Sequence, residues 1–140
     1  MALRAPPRPA RENPIVKRIN ALVVEDEPVI QQELIRILQE MEIAASGAAS
    51  VEEARQELEQ ARFDIAVVDL GLRDGSGLTL LESFPRLAPD TLILVVSSTM
   101  DFSVRTRCYA LGARDFIAKP FRPQELTRRL QRLVALVPRS

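Results

Sequence analysis

"DIAVVDLGLRDGSG", residues 64–77, runs from an apolar segment into an aspartate and then into a glycine-rich turn. Four consecutive apolar residues, Ile65–Val68, bounded by polar and turn-forming residues, read as a strand from Asp64 to Asp69 that is buried on both faces. A carboxylate at the end of such a strand is costly unless something beside it pairs with it. Alone, Asp69 has an ordinary explanation as a turn residue, because Asp-Leu-Gly tolerates a tight bend. The segments on either side decide which reading holds.

Segments of the same kind recur along the chain. "ALVV" (21–24) is a valine-rich run cut off by "EDEP", and "TLILVVSS" (91–98) and "DFIAKP" (115–120) are further strands, with "EIAAS" (42–46) a weaker one. Between them, from Pro28 onward, Ile30, Leu34, Ile37, Leu38 and Met41 fall on one helix face, with Pro28 suited to the first turn. Ser50 caps a helix over 51–62, with Glu53 in the capping-box position. A third helix spans Ser76–Phe84 and is expected to end at Pro85. The fourth runs over 101–113, with Asp101 as its N-cap and Gly112 as its C-terminal stop. The last covers Pro123–Val137 and places Leu126, Leu130, Leu133, Val134 and Val137 on one side.

Five strands alternating with five helices, three of the strands apolar on both faces, predict an α/β fold. The expected architecture is a doubly wound five-stranded parallel sheet of order 2-1-3-4-5, a flavodoxin-like (βα)5 unit. In such sheets ligands bind beyond the carboxyl ends of the strands, where the order reverses, here between strands 1 and 3.

Composition narrows the chemistry. At 140 residues, 46% of them hydrophobic and 27% charged, the chain fits one soluble globular domain. No apolar run approaches a membrane span and no signal-peptide h-region is visible, so a cytoplasmic location is expected. The single cysteine, Cys108, allows no intrachain disulfide and reads as a small buried apolar residue. Histidine is absent, which removes Ser-His-Asp and Cys-His catalysis and imidazole-bound zinc. With no tryptophan and one tyrosine, a base-stacking nucleic-acid platform is not expected. The formal net charge of zero hides a basic start and end around an acidic middle. Residues 1–19 and 122–140 each hold five basic groups and one acid, and 20–121 carry a net of −8. That pattern does not suit a phosphate-backbone binder. The expected organisation is a disordered Pro/Arg-rich extension over 1–19, one domain over 20–137 and a tail at 138–140.

The strand ends can then be read together. Strand 1 ends in Glu25 and Asp26, strand 3 in Asp69, strand 4 in Ser97 and Ser98, and strand 5 in Lys119 before Pro120. Two carboxylates about 4 Å apart repel by roughly 4 kcal/mol at an effective dielectric near 20, so three in one crevice call for positive charge. A hard divalent cation such as Mg²⁺, held by carboxylates, waters and phosphate oxygens, supplies it economically, and Lys119 adds more. Such a site suits an incoming phosphoryl group, with an aspartate able to act as nucleophile. Asp74-Gly75 reads as a turn and Glu27 as a first-turn residue favoured by the helix dipole.

From Ile19 to Val137 the chain resembles the receiver domain of two-component response regulators, on "VVEDEP" (23–28), "VVDLGLRDGSG" (67–77), "ILVVSS" (93–98) and "DFIAKPF" (115–121). The resemblance implies that Asp69 is the phosphoacceptor and that Glu25 and Asp26 hold Mg²⁺ directly or through water. It also implies that Gly71 lends the metal its backbone carbonyl, and that Ser97 and Lys119 contact the phosphoryl group. Phe116 matches the switch aromatic, although inward core packing explains it nearly as well. The Lys119–Pro120 bond is expected to be cis. Glu25 stands where aspartate is more usual and Ser98 where alanine is frequent, while Thr99 and Gly71 occupy positions that influence acyl-phosphate lifetime.

The implied function is a phosphorylation switch rather than an enzyme acting on a separate substrate. Its donor would be a histidine kinase or phosphotransfer protein, and its output the face made by helix 4, strand 5 and helix 5, which could form a homodimer. Two arrangements stay open: a stand-alone receiver, or the receiver part of a longer DNA-binding regulator. Leu136–Ser140 resembles a thrombin cleavage sequence and bears on the second. A degenerate receiver acting as an unphosphorylated binding module is a further alternative, disfavoured by the intact acids, serine and lysine. An aspartate-nucleophile phosphatase would want an acid where Gly71 stands, and a flavin binder would want hydroxyl-rich phosphate loops and stacking aromatics.

Overall fold

The computed structural model describes residues 18–138. The extension expected over 1–19 lies outside the described residues except for Arg18 and Ile19, and of the tail only Pro138 is described. The elements are β1 (Asn20–Val24), α1 (Pro28–Glu40), β2 (Ala44–Ala48), α2 (Val51–Gln60), β3 (Ile65–Asp69), α3 (Gly77–Leu87), β4 (Leu92–Ser97), α4 (Phe102–Ala110), β5 (Ala113–Ala118) and α5 (Pro123–Leu136). The five strands form one parallel sheet in the order β2-β1-β3-β4-β5, as the sequence predicts. Between β3 and α3, Gly71–Leu72 pair antiparallel with Gly75–Ser76 in a small hairpin.

The sheet divides the core into two layers, because alternate residues of each strand point to opposite faces. Leu22, Val24, Ala66, Val68, Ile93, Val95 and Phe116 face one layer, which α2, α3 and α4 cover through Ala54, Leu58, Leu80, Leu81, Phe84 and Cys108. Ala21, Val23, Ile65, Val67, Leu94, Val96 and Ile117 face the other, covered by α1 and α5 through Leu34, Ile37, Leu38, Leu126, Leu130 and Leu133. Burying each such valine, leucine or isoleucine contributes about 1.5–3 kcal/mol, and β3 is buried along its whole length. No helix among the described residues is long and apolar enough to cross a membrane.

Local chemistry sets the element ends. Pro28 occupies the first turn of α1. Ser50 accepts from the Glu53 amide, while the Glu53 carboxylate reaches back to the Ala49 amide at 2.8 Å rather than to that of Ser50. Asp101 caps α4, and Gly112 follows that helix at φ 109, a left-handed conformation that glycine adopts freely.

Two expectations need correction. The third helix does not end at Pro85 but continues through it to Leu87, with Ser76 as its N-cap. Phe84 is buried, and the helix still closes through Ala88 N–H donating to the Phe84 carbonyl at 2.7 Å. A proline this close to the C-terminus removes one donor without stopping the turn. The second strand starts at Ala44 rather than Glu42, because Glu42 takes φ 63 in the turn that leaves α1. It is an edge strand of small, mostly exposed residues, which is why its signal in the sequence is weak.

Candidate functional site

A parallel sheet delivers all its carboxyl ends to one side of the molecule, and the order β2-β1-β3 followed by β4-β5 opens a crevice there. Backbone bonds fix its walls: Glu25 N–H donates to the Ala48 carbonyl at 3.0 Å, and Lys119 N–H to the Ser97 carbonyl at 2.9 Å. Glu25, Asp26, Asp69, Gly71, Ser97, Ser98, Thr99 and Lys119 all line this crevice of about 510 Å³. Phe116 is not part of the lining. It is buried in the core beneath, with the Arg105 guanidinium 5.2 Å from its ring centroid. The Lys119–Pro120 bond is cis.

Carboxylate oxygens of Glu25, Asp26 and Asp69 lie within 4.8 Å of one another. Lys119 Nζ sits between two of these acids, 2.9 Å from Glu25 Oε1 and 3.5 Å from Asp69 Oδ1. The other Glu25 oxygen accepts from the Glu27 amide at 3.2 Å. Burial pushes the Glu25 carboxyl above its ordinary value, and the Asp69 charge adds to this. The Lys119 hydrogen bond and the Glu27 amide only partly oppose it. Burial works against the Lys119 ammonium, yet the hydrogen bond it donates to Glu25 and the charges of Asp69 and Glu25 hold it above its usual value. Acidic charge therefore exceeds what one lysine neutralises. An all-oxygen donor set with surplus negative charge fits a hard divalent cation.

Asp69 also accepts from the Gly71 amide at 3.3 Å, a bond that turns the chain at the start of the hairpin. The Ser97 hydroxyl accepts from the Thr99 amide at 3.1 Å, and Thr99 Oγ1 from the Asp101 amide at 3.1 Å, so the loop after β4 is tied to its own start.

Three neighbours of the site were not singled out from sequence for these contacts. Gln31 donates to the carbonyls of Glu25 at 2.8 Å and Ala48 at 3.3 Å, so α1 holds the ends of β1 and β2. The available signal was a polar residue on the helix face that also carries Leu34 and Leu38. Arg73 Nε lies 3.7 Å from Asp26 Oδ2. Asp74 is more than a turn residue: its carboxylate accepts from the amides of Val51 at 2.8 Å and Glu52 at 3.2 Å, at the start of α2. These bonds pin the hairpin that follows Asp69 to a neighbouring helix and lower the Asp74 pKa, the Val51 amide contributing most.

A depressed carboxyl pKa stabilises the fold above the ordinary value and loses that effect as pH falls through the folded value. Asp74→Ala is therefore expected to melt at lower temperature than wild type at neutral pH. The gap should close on acidification below the usual aspartate range, as thermal unfolding followed by circular dichroism at several pH values would measure.

Comparison with known proteins places this geometry among relatives. Residues 21–131 match the family model described as the response regulator receiver domain. The chain is 33% identical over 113 residues to the two-component response regulator PhoP of Pseudomonas aeruginosa, covering 81% of this chain and 50% of that protein. It spans half or less of the length of the first curated relatives it matches. The non-phosphorylated HemR receiver domain from Leptospira biflexa superposes with a TM-score of 0.81 at 30% identity, over 88% of this chain and 99% of that one. A response regulator from Burkholderia pseudomallei, solved with a phosphorylated aspartic acid, a calcium ion and citrate, has a TM-score of 0.73 at 28% identity, over 84% of this chain and 74% of that one.

Proposed function

We propose, for a chain that belongs to the response regulator receiver domain family, that Asp69 is its phosphoacceptor and that residues 20–137 act as a phosphorylation switch. The observation that carries this is the convergence of the Glu25, Asp26 and Asp69 carboxylates within 4.8 Å, with Lys119 Nζ 3.5 Å from Asp69. The chain contains no histidine, so the phosphohistidine comes from a partner, a sensor histidine kinase or phosphotransfer protein. Mg²⁺, when bound, would neutralise the acids and the phosphoryl oxygens together. Asp26, Asp69 and the Gly71 carbonyl would hold it. Glu25, whose two oxygens already have protein partners, would act through water. A related structure that holds both a phosphorylated aspartic acid and a calcium ion, the Burkholderia regulator, supports this reading.

In the transfer an Asp69 oxygen attacks phosphorus, and an O–P bond forms as the P–N bond to the donor imidazole breaks. Lys119 then shares its charge with the new phosphoryl oxygens, and Ser97 exchanges its bond with the Thr99 amide for one to the phosphoryl group. Ser98 and Thr99 shape access to the bond that water must reach for hydrolysis. Because Ser97 ends β4 and Thr99 lies in the loop that leads into α4, their shift moves α4. Of the nine residues of α4 only Cys108 is buried, so little core packing resists that movement. Arg105 of α4 lies over Phe116 of β5, which links the shift to the α4–β5–α5 face, where a partner or second copy would dock. The chain works in the cytoplasm, and its chemistry is its own phosphorylation and dephosphorylation rather than turnover of a separate substrate. A second reading, the receiver part of a longer DNA-binding regulator, draws on relatives named transcriptional regulatory proteins, of which this chain spans about half.

The test is incubation with a small acyl-phosphate donor and Mg²⁺, read by intact mass. One added phosphoryl group, lost on treatment with hydroxylamine and absent when the metal is chelated, is the expected result. An unmodified wild-type chain overturns the proposal.

A further inference from the structure

Two cations serve the three acids, and they are held very differently. Lys119 is enclosed, its side chain 18% exposed and in contact with both Glu25 and Asp69. Arg73 stands at the mouth, 81% exposed, with Nε 3.7 Å from Oδ2 of an Asp26 side chain that is 12% exposed. Its backbone is not free, because it sits in the turn between Leu72 and Gly75 and the adjacent Asp74 is bonded to the start of α2. Only the long side chain can leave.

Any cation that coordinates Asp26 must take over the carboxylate that the guanidinium faces, and two positive charges there repel. We propose that Arg73 is a gating counter-ion: it occupies Asp26 in the metal-free chain and must swing off for Mg²⁺ to bind, so it sets the metal affinity of the site. The inference rests on the reading of Glu25, Asp26 and Asp69 as a divalent-cation site. It also gives the arginine a reason to be exposed, since an enclosed cation would have no place to go once displaced.

The experiment is calorimetric titration of Mg²⁺ alone, in low-salt buffer without phosphodonor, into wild type, Arg73→Gln, Arg73→Lys and Asp26→Asn. Arg73→Gln is expected to bind Mg²⁺ about two- to fivefold more tightly than wild type, the range open to an exposed, screened ion pair. Arg73→Lys should return most of the way to wild type, and the gap between wild type and Arg73→Gln should narrow as salt is raised. Because Arg73 packs against nothing in the core, Arg73→Gln should lose only that ion pair, and its metal-free melting temperature should fall by no more than a few degrees. Equal or weaker binding by Arg73→Gln, with Asp26→Asn still abolishing binding, overturns the role of Arg73 and leaves the metal site standing. Undiminished binding by Asp26→Asn, or no binding by wild type and Arg73→Gln alike, overturns both.

Discussion

Asp69→Asn takes up no phosphoryl group under conditions in which the wild-type chain takes up one: this is the largest functional effect expected of any single substitution here. The amide has no anionic oxygen with which to form an acyl phosphate, so the loss should be complete by intact mass. It should not come from unfolding. Asp69 is one of three crowded acids, and its charge helps to push the Glu25 carboxyl upward. Removing that charge relieves repulsion and also gives up the 3.5 Å contact with Lys119, which acts in the opposite direction. The net change in stability should stay within about 1 kcal/mol of wild type, with a melting temperature equal or higher. A variant that is folded and still phosphorylated would place the acceptor elsewhere.

Gly77→Ala is expected to have the largest effect on stability among the glycines. Gly77 is the first residue of α3, and its amide donates to the Leu70 carbonyl at 2.8 Å. A Cβ placed there lies 2.5 Å from the Asp69 carbonyl oxygen and 2.7 Å from Leu70 Cα. Both are backbone atoms, so no side chain can rotate out of the way, and either α3 or the end of β3 must move. Overpacking of this kind costs about 1–3 kcal/mol. Urea unfolding should show that loss, and displacement of Asp69 should slow phosphorylation in the folded fraction. Gly71→Ala is the comparison, because nothing lies within 4 Å of a Cβ at that position. It should fold with wild-type stability and keep its backbone carbonyl at the crevice.

The pattern of apolar runs carried most of the fold. Three of the strands are buried along nearly all their length, and a buried parallel strand leaves a continuous valine- and leucine-rich run that survives in one dimension. Asp69, Ser97 and Lys119 were visible for the same reason, since each terminates such a run and the order of the sheet sends all run ends to one edge. Contacts that depend on register between distant elements were harder to see. Asp74 looks like any Asp-Gly turn until α2 is placed against it, and Gln31 looks like a solvated residue until β1 and β2 end beneath it. Pro85 failed as a helix stop because tertiary packing of Phe84 outweighed a local preference. Glu42 opened no strand because its backbone is left-handed, a choice that its side chain does not announce.

Cys108 is the chain's single thiol, fully enclosed, and it is the one fully buried residue of α4, with half-buried Val104 packed against the same core. Burial pushes its pKa upward, so it stays protonated and unreactive while the helix is seated. A thiol reagent can then reach it only in the moments when α4 lifts away. The rate of labelling would thus be a clock for the α4 shift proposed above, read without introducing a probe or altering a residue.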